Sequence, residues 1–244
     1  MIMKGLKVWA GMMCVALILS GCGGMSNTGK GALIGTASGG AAGTGIGALI
    51  GQLVGGKSGA KKGAIIGAAA GTAVGVTAGS LIGRKMDKAA AAAKALEAAQ
   101  VEKTTDSNGL DAVKVTFENG ILFAVNKSTL TPSAQASLKK FASNVLNVYT
   151  DCDVSICGFA SSDGSDATNL TLSQNRAAAV TNYLTGSCGV ASKQIKSTVG
   201  YGEDPNFLVY DASGKEDVNA SRRVEVYLYA SEAMIKAAEA GTLE

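Results

Sequence analysis

Leu110-Asp111-Ala112-Val113-Lys114-Val115-Thr116-Phe117-Glu118-Asn119-Gly120-Ile121-Leu122-Phe123 is where this 244-residue chain changes character. Val113, Val115 and Phe117 alternate with Lys114, Thr116 and Glu118, the two-residue period of a half-buried strand. Asn119-Gly120 predicts a hairpin turn, and Ile121-Leu122-Phe123 starts a return strand. Downstream, Thr131 before Pro132 reads as a helix N-cap and first-turn pair, followed by a helical stripe of Ala134, Leu138, Phe141, Val145 and Val148. Val154, Ile156 and Gly158 to Phe159 are strand-like. A second amphipathic helix carries Leu172, Arg176, Val180 and Leu184 and stops at Gly186. Ile195 to Val199 and Val224 to Tyr229 add two more strands. Strands alternating with helices predict an α/β (α+β) two-layer sandwich over residues 110–230, with 231–244 as a tail of no assigned role.

Upstream the pattern is different. Glycine recurs at every fourth position from Gly31 through Gly47 and Gly71 to Gly83 without a miss. Each glycine costs a water-exposed helix about 1 kcal/mol, whereas helices in lipid use such spacing for close backbone packing. A second repeat lies over the first: Lys30-Gly31-Ala32-Leu33-Ile34-Gly35 returns as Lys62-Gly63-Ala64-Ile65-Ile66-Gly67. The repeat defines two uncharged arms, Gly31 to Val54 and Gly63 to Gly83, around a lysine-bearing link. Each arm has about the 20 residues that cross a bilayer core. Residues 31–86 are therefore expected to form a helical glycine-zipper membrane hairpin whose winding stripe also supports a homo-oligomer; a disordered glycine-rich linker is the alternative. Residues 87–109 read as an alanine-rich helix followed by a flexible tether.

The first 21 residues are an address. Lys4 and Lys7 precede an apolar run from Val8 to Leu19, too short to span a membrane, and Leu19-Ser20-Gly21-Cys22 is similar to the bacterial lipobox. That resemblance implies a diacylglycerol lipid on Cys22, a lipidated tether over 22–30, and no other cofactor. Gly23 lacks the acidic signal for inner-membrane retention, which favours the outer membrane.

Charge and composition exclude several functions. From Cys22 to Lys88 the charges are basic except Asp87, while beyond Lys88 there are 13 basic and 18 acidic residues. The basic part suits lipid headgroups, and the acidic part argues against nucleic acid. The chain has no histidine, which removes Ser-His, Cys-His and His-rich metal sites, so no metal and no enzyme activity are expected. Gly51-Gln52-Leu53-Val54-Gly55-Gly56-Lys57-Ser58 spells a phosphate loop, but its glycines belong to the period of four and no strand precedes it. No nucleotide is expected. The overlapping Ser58-Gly59-Ala60-Lys61 has no partner motifs. The sequons at Asn126, Asn169 and Asn219 are read as inert.

Five segments of the C-terminal half carry a resemblance: Ile121 to Leu130, Gly158 to Gly164, Asn169-Leu170-Thr171-Leu172-Ser173-Gln174-Asn175-Arg176-Ala177, Gly200-Tyr201-Gly202-Glu203-Asp204-Pro205, and Arg222-Arg223-Val224-Glu225. In order and spacing they resemble the OmpA C-terminal domain. The resemblance implies a β-α-β-α-β fold that binds peptidoglycan without a covalent bond. It also implies a clamp on the diaminopimelate of the stem peptide, made by an aspartate and an arginine. Arg176 falls on the arginine, but Ser161 stands where the aspartate belongs, with Asp163 and Asp166 nearby to supply charge. The peptidoglycan-binding candidates are Arg176, Ser161, Asp163, Phe159 and Asn126. Arg222-Arg223 is read as neutralising acidic neighbours beside the last strand.

With Cys14 removed and Cys22 acylated, three thiols remain in an oxidising compartment. Cys152 precedes the second predicted strand and Cys188 the third, so parallel neighbours predict a Cys152 to Cys188 disulfide. Cys157 then faces the other side of the sheet as a small hydrophobe. The functional expectation is an outer-membrane lipoprotein whose periplasmic domain tethers the membrane to the peptidoglycan stem peptide. The alternative is an oligomerising, membrane-embedded scaffold whose domain has lost or altered peptidoglycan binding and contacts another envelope protein.

Overall fold

A computed structural model describes residues 76–96, 99–106 and 109–243. The expected signal segment, Cys22, the phosphate-loop look-alike and the glycine run up to Gly75 lie outside the described residues. In chain order the elements are α1 (Val76–Lys94), β1 (Gln100–Thr105), β2 (Asp111–Glu118), the single turn α2 (Asn119–Leu122), α3 (Pro132–Phe141), β3 (Cys152–Phe159), α4 (Asp166–Ser187), β4 (Ile195–Gly200), the single turn α5 (Val218–Ser221), β5 (Arg223–Ala230) and α6 (Glu232–Glu239). The strands form one sheet in the order β1-β2-β5-β3-β4. β3 and β4 run parallel, and the other neighbours are antiparallel.

Period-two patterning sorts the sheet into two faces. Val224, Val226, Leu228 and Ala230 of β5 join Cys152, Val154 and Ile156 of β3 in the larger core. The buried sides of α1, α3, α4 and α6 pack into that same core, through Ile82, Leu138, Val180 and Met234 among others. Tyr227 and Tyr229 point the other way and join Ala112, Cys157 and Phe159 in a smaller cluster capped by Tyr201 and Phe207. The mixed α/β sandwich expected from the strand and helix pattern is what forms. Thr131 caps α3 as its sequence indicates, its hydroxyl accepting the Ala134 amide at 3.1 Å, with Pro132 in the first turn.

Three local expectations are corrected, and the tail, left open by the sequence, gains a structure. Asn119-Gly120 does not turn a hairpin: Asn119–Leu122 is one helical turn, and Phe123 makes only an isolated bridge to Leu130. Leu122 and Phe123 are adjacent yet both buried in the same core, which a strand with alternating faces cannot provide. The supposed tether is not free, because β1 pairs along β2 from Gln100 opposite Thr116 to Thr105 opposite Asp111. The tail is also structured. Ser231 caps α6 by accepting the Met234 amide at 3.1 Å, and Met234 and Ala238 are buried.

The third correction concerns the glycine run. Residues 76–83, expected in the second membrane arm, open α1, which continues unbroken to Lys94. Ala78, Ile82, Met86, Ala89, Ala90 and Ala93 all lie in the domain core, and α1 packs on β2 and α6. Small and apolar side chains at helical spacing suit a sheet surface as well as lipid, so the pattern identified the buried face but not its neighbour. Among the described residues no helix is long and apolar enough to cross a membrane.

Cys152, Cys157 and Cys188 are free thiols, so the expected Cys152 to Cys188 bridge is not formed. β3 and β4 are parallel neighbours as that expectation required. Cys188, however, does not abut β4. It caps the C-terminus of α4, and Gly189 at φ +74°, the buried Val190 and a 3-10 turn (Ser192–Gln194) intervene before Ile195. Cys157 is buried on the face opposite Cys152, as expected.

Candidate ligand-binding site

The N-terminal half of α4 lies on a platform of two glycines. Gly158 ends β3 opposite Gly200 at the end of β4. A Cβ on Gly158 would stand 2.2 Å from the Ser173 carbonyl oxygen, and one on Gly200 would stand 2.2 Å from the Gln174 amide nitrogen. The helix therefore touches the sheet backbone, and its buried stripe reads Asn169, Ser173, Arg176, Ala177, Val180 and Leu184. Ser173 takes the inward place expected for Leu172 because only a small side chain fits there. Its hydroxyl accepts the Gly202 amide at 2.9 Å.

This close approach fixes the loop between β3 and α4. The Ala160 amide donates to the Gly202 carbonyl at 2.7 Å, and Gly164 turns the chain at φ +114°. The Asn169 side-chain amide, on the buried stripe, reaches the carbonyls of Ser161 at 3.1 Å and Asp163 at 3.0 Å and also bonds the Glu203 carboxylate. Ser162 donates its amide to Glu216 at 3.2 Å and bonds the same carboxylate through its hydroxyl.

Within that frame two arginines converge. Arg222 precedes β5 and donates Nε to the Ser161 hydroxyl oxygen at 2.9 Å and Nη2 to the Asp163 carboxylate at 2.6 Å. Arg176 is only 3% exposed. Its Nε donates to the Lys127 carbonyl at 3.0 Å, and its guanidinium stands 5.3 Å from the centre of the Phe123 ring. Among the described residues no carboxylate pairs with it. Burial, and then the positive charge of Arg222, pull its pKa down to about 10, so it is still a cation at neutral pH. A buried cation without a counter-ion is costly to keep, and an anion at its terminal nitrogens would offset that cost.

The predicted site residues divide accordingly. Ser161 and Asp163 meet on Arg222, whose charge Arg176 feels while its own contacts are the Lys127 carbonyl and the Phe123 ring. Asn126 is exposed on the Phe123 to Leu130 loop at φ +54°, in the turn that presents the Lys127 carbonyl to Arg176. Phe159 is not beside these arginines' shared loop but in the smaller cluster with Cys157 and Tyr227, which corrects its assignment. Gly158 spends the α4-facing position of β3, so Phe159 points to the opposite face, 1% exposed. There it stacks on Tyr201, with ring centres 5.4 Å apart, beneath the Arg223 guanidinium at 4.2 Å.

Arg222 and Arg223 do neutralise acidic neighbours as expected, Arg222 with Asp163 and Arg223 with Glu225 at 2.7 Å. What the sequence reading missed is that Arg222 also reaches Ser161. Phe159 opposite Arg223 in the antiparallel β3–β5 pairing brings the start of β5 beside the end of β3, and that adjacency depends on strand order. Chemically, the cluster has donors and charges but no paired nucleophile and base, and among the described residues no group of side chains is disposed to hold a metal.

Residues 122–222 match the OmpA family, and residues 3–87 match the YMGG-like Gly-zipper. Outer membrane protein P5 of Haemophilus influenzae is 39% identical over 95 residues, 38% of this chain and 26% of that protein. Outer membrane protein A of Salmonella typhi is 42% identical over 89 residues, 36% of this chain and 25% of that protein. The chain thus spans about a quarter of the length of these relatives, which are named as outer membrane proteins and not as enzymes. Among solved structures, the cell wall anchor of the T6SS from Pseudomonas aeruginosa aligns at 22% identity with a TM-score of 0.46, covering 60% of this chain and 97% of that one. The chain therefore joins a YMGG-like glycine-zipper segment to an OmpA-like domain that contains Arg176.

Proposed function

We propose that this chain is a non-enzymatic cell-envelope tether: Cys22 carries a lipid in the outer membrane, and the OmpA-like domain grips a peptidoglycan stem peptide in the periplasm. The observation that carries the reading is Arg176, buried to 3% exposure and unpaired with any carboxylate among the described residues. Its unanswered charge suits a stem-peptide carboxylate, and a charge-assisted pair of this kind contributes about 1.5–3 kcal/mol. The test is co-sedimentation of the full chain, solubilised in mild detergent, with purified peptidoglycan sacculi. Wild type pellets with the sacculi; Arg176→Ala weakens binding by about ten-fold or more. Equal pelleting of the two proteins refutes the role of Arg176.

Ser161, in the place of the family aspartate, favours a second reading in which the domain contacts another envelope protein while the glycine zipper self-associates. That reading wins if wild type stays in the supernatant and Ser161→Asp restores pelleting. The oligomer has its own measurement: cross-linking in membranes, with Gly47→Leu and Gly71→Leu expected to dissolve it.

A further inference from the structure

β4 closes one end of the sheet and is paired on one side only, with β3. Gly158 stands opposite Gly200, and the Tyr201 amide donates to the Gly158 carbonyl at 2.9 Å. In a parallel pair the residues that bond the neighbour alternate with those that turn away, so the backbone groups of Thr198 and Gly200 face the open side. An open edge of this kind is a template for a further strand. Here one side chain occupies it. Gln174, exposed on α4, accepts the Gly200 amide through Oε1 at 2.7 Å and directs Nε2 toward the Thr198 carbonyl at 3.4 Å.

These two bonds have the connectivity of a strand. In a parallel ladder one residue donates to the carbonyl before, and accepts from the amide after, the residue it faces; the primary amide of Gln174 does both around Val199. The close seat of α4 on Gly200, where a Cβ would stand 2.2 Å from the Gln174 amide nitrogen, brings the side chain within reach. Ile195 to Thr198, further along the same strand, border an open recess of about 280 Å³ shared with Thr181 and Thr185 of α4. We propose that Gln174 is an autoinhibitory contact: its amide stands in for one peptide of a sixth strand and keeps the β4 edge from pairing with β4 of a second copy. Such pairing is self-complementary. Centred on Thr198, an antiparallel two-fold arrangement sets Lys196 of each copy against Gly200 of the other, so threonine meets threonine and lysine does not meet lysine. The inference does not depend on what the domain binds.

The experiment compares the full detergent-solubilised chain with Gln174→Ala, with Gln174→Glu, with Asn175→Ala as an exposed neighbour on the same helix, and with Gln174→Ala combined with Thr198→Pro. Proline there removes an amide that faces the open edge and no bond to β3. Deuterium exchange read by mass spectrometry follows the peptide that contains Gly200, and sedimentation over a concentration series follows self-association. At low concentration the Gly200 amide of Gln174→Ala is expected to exchange about five-fold faster than in wild type, whereas Gln174→Glu, which keeps the acceptor, and Asn175→Ala exchange as wild type does. As concentration rises, Gln174→Ala regains protection and associates beyond wild type, and adding Thr198→Pro removes both effects. Association through the glycine zipper is common to all five proteins and does not enter the difference. Unchanged Gly200 exchange in Gln174→Ala, equal exchange in the alanine and glutamate variants, or association of Gln174→Ala no greater than wild type overturns the inference. Extra association that survives Thr198→Pro also overturns it, because another surface then makes the contact.

Discussion

Replacing Ile82 by alanine separates a helix packed in a folded domain from one lying in a membrane. Ile82 sits on α1 with no exposed surface, in the core shared with β2 and α6. Truncating a buried isoleucine to alanine typically costs 2–5 kcal/mol, the lost transfer energy plus the cavity left behind, and about 3 kcal/mol is a central value. With a urea slope of about 2 kcal/mol/M, the midpoint of domain unfolding drops by about 1.5 M. Lys88→Ala, on the exposed side of the same helix, is the control and stays within about 0.5 kcal/mol of wild type. Gly79→Ala sharpens the contrast, since a Cβ there meets nothing within 4 Å. Removing a helix-interior glycine that packs against nothing stabilises by up to about 1 kcal/mol, raising the midpoint by about 0.5 M. A membrane arm gives the opposite pattern, with Ile82→Ala silent toward the domain and Gly79→Ala disruptive to helix packing. The assay is urea denaturation in mild detergent followed by tyrosine fluorescence and circular dichroism. An Ile82→Ala midpoint indistinguishable from wild type would refute the docking of α1.

Gly158→Ala and Gly200→Ala each push a methyl group into the α4 backbone, so each is expected to lose at least about 2 kcal/mol and to weaken peptide binding by displacing Arg176; an unchanged urea midpoint would count against the glycine platform. In native protein, iodoacetamide should label Cys188 first: burial, then Asp151, raises the Cys152 thiol to about 12, and burial, then Glu225, pushes Cys157 well up. Mass mapping checks both the labelling order and the absence of a Cys152 to Cys188 bridge. On the tether reading, binding to peptidoglycan sacculi requires Arg176 as a cation, whose folded pKa lies below its ordinary value; affinity is therefore flat from about pH 6 to 9 and falls as pH rises through about 10. A loss centred several units lower would assign the anion contact to a different group.

Local patterning made the strands legible. The alternation at Val113 to Phe117, the Thr131-Pro132 cap and the spacing of Arg176, Val180 and Leu184 each determine an element by what its own neighbours require. Arg176 was visible because it falls in a recognisable helix motif. Its relation to Arg222 was not, because it depends on β5 lying beside β3, a consequence of the whole sheet. Phe159 was misplaced because a residue beside a glycine motif was credited with the motif's face, although consecutive strand residues point apart. Asn119-Gly120 illustrates tertiary override: a strong local turn signal yields where Leu122 and Phe123 must both enter the core.

The clasp of α1 against α6 and β2 bears on how such a domain withstands force. If the chain is pulled from its N-terminal side, load enters at Val76, on a helix interlocked through six buried side chains, and not on β1, an edge strand whose hydrogen bonds could open one after another like a zip fastener. Sliding that helix free breaks its packing together, and the resistance of the domain to traction is set by a collective barrier to unfolding instead of by its weakest edge.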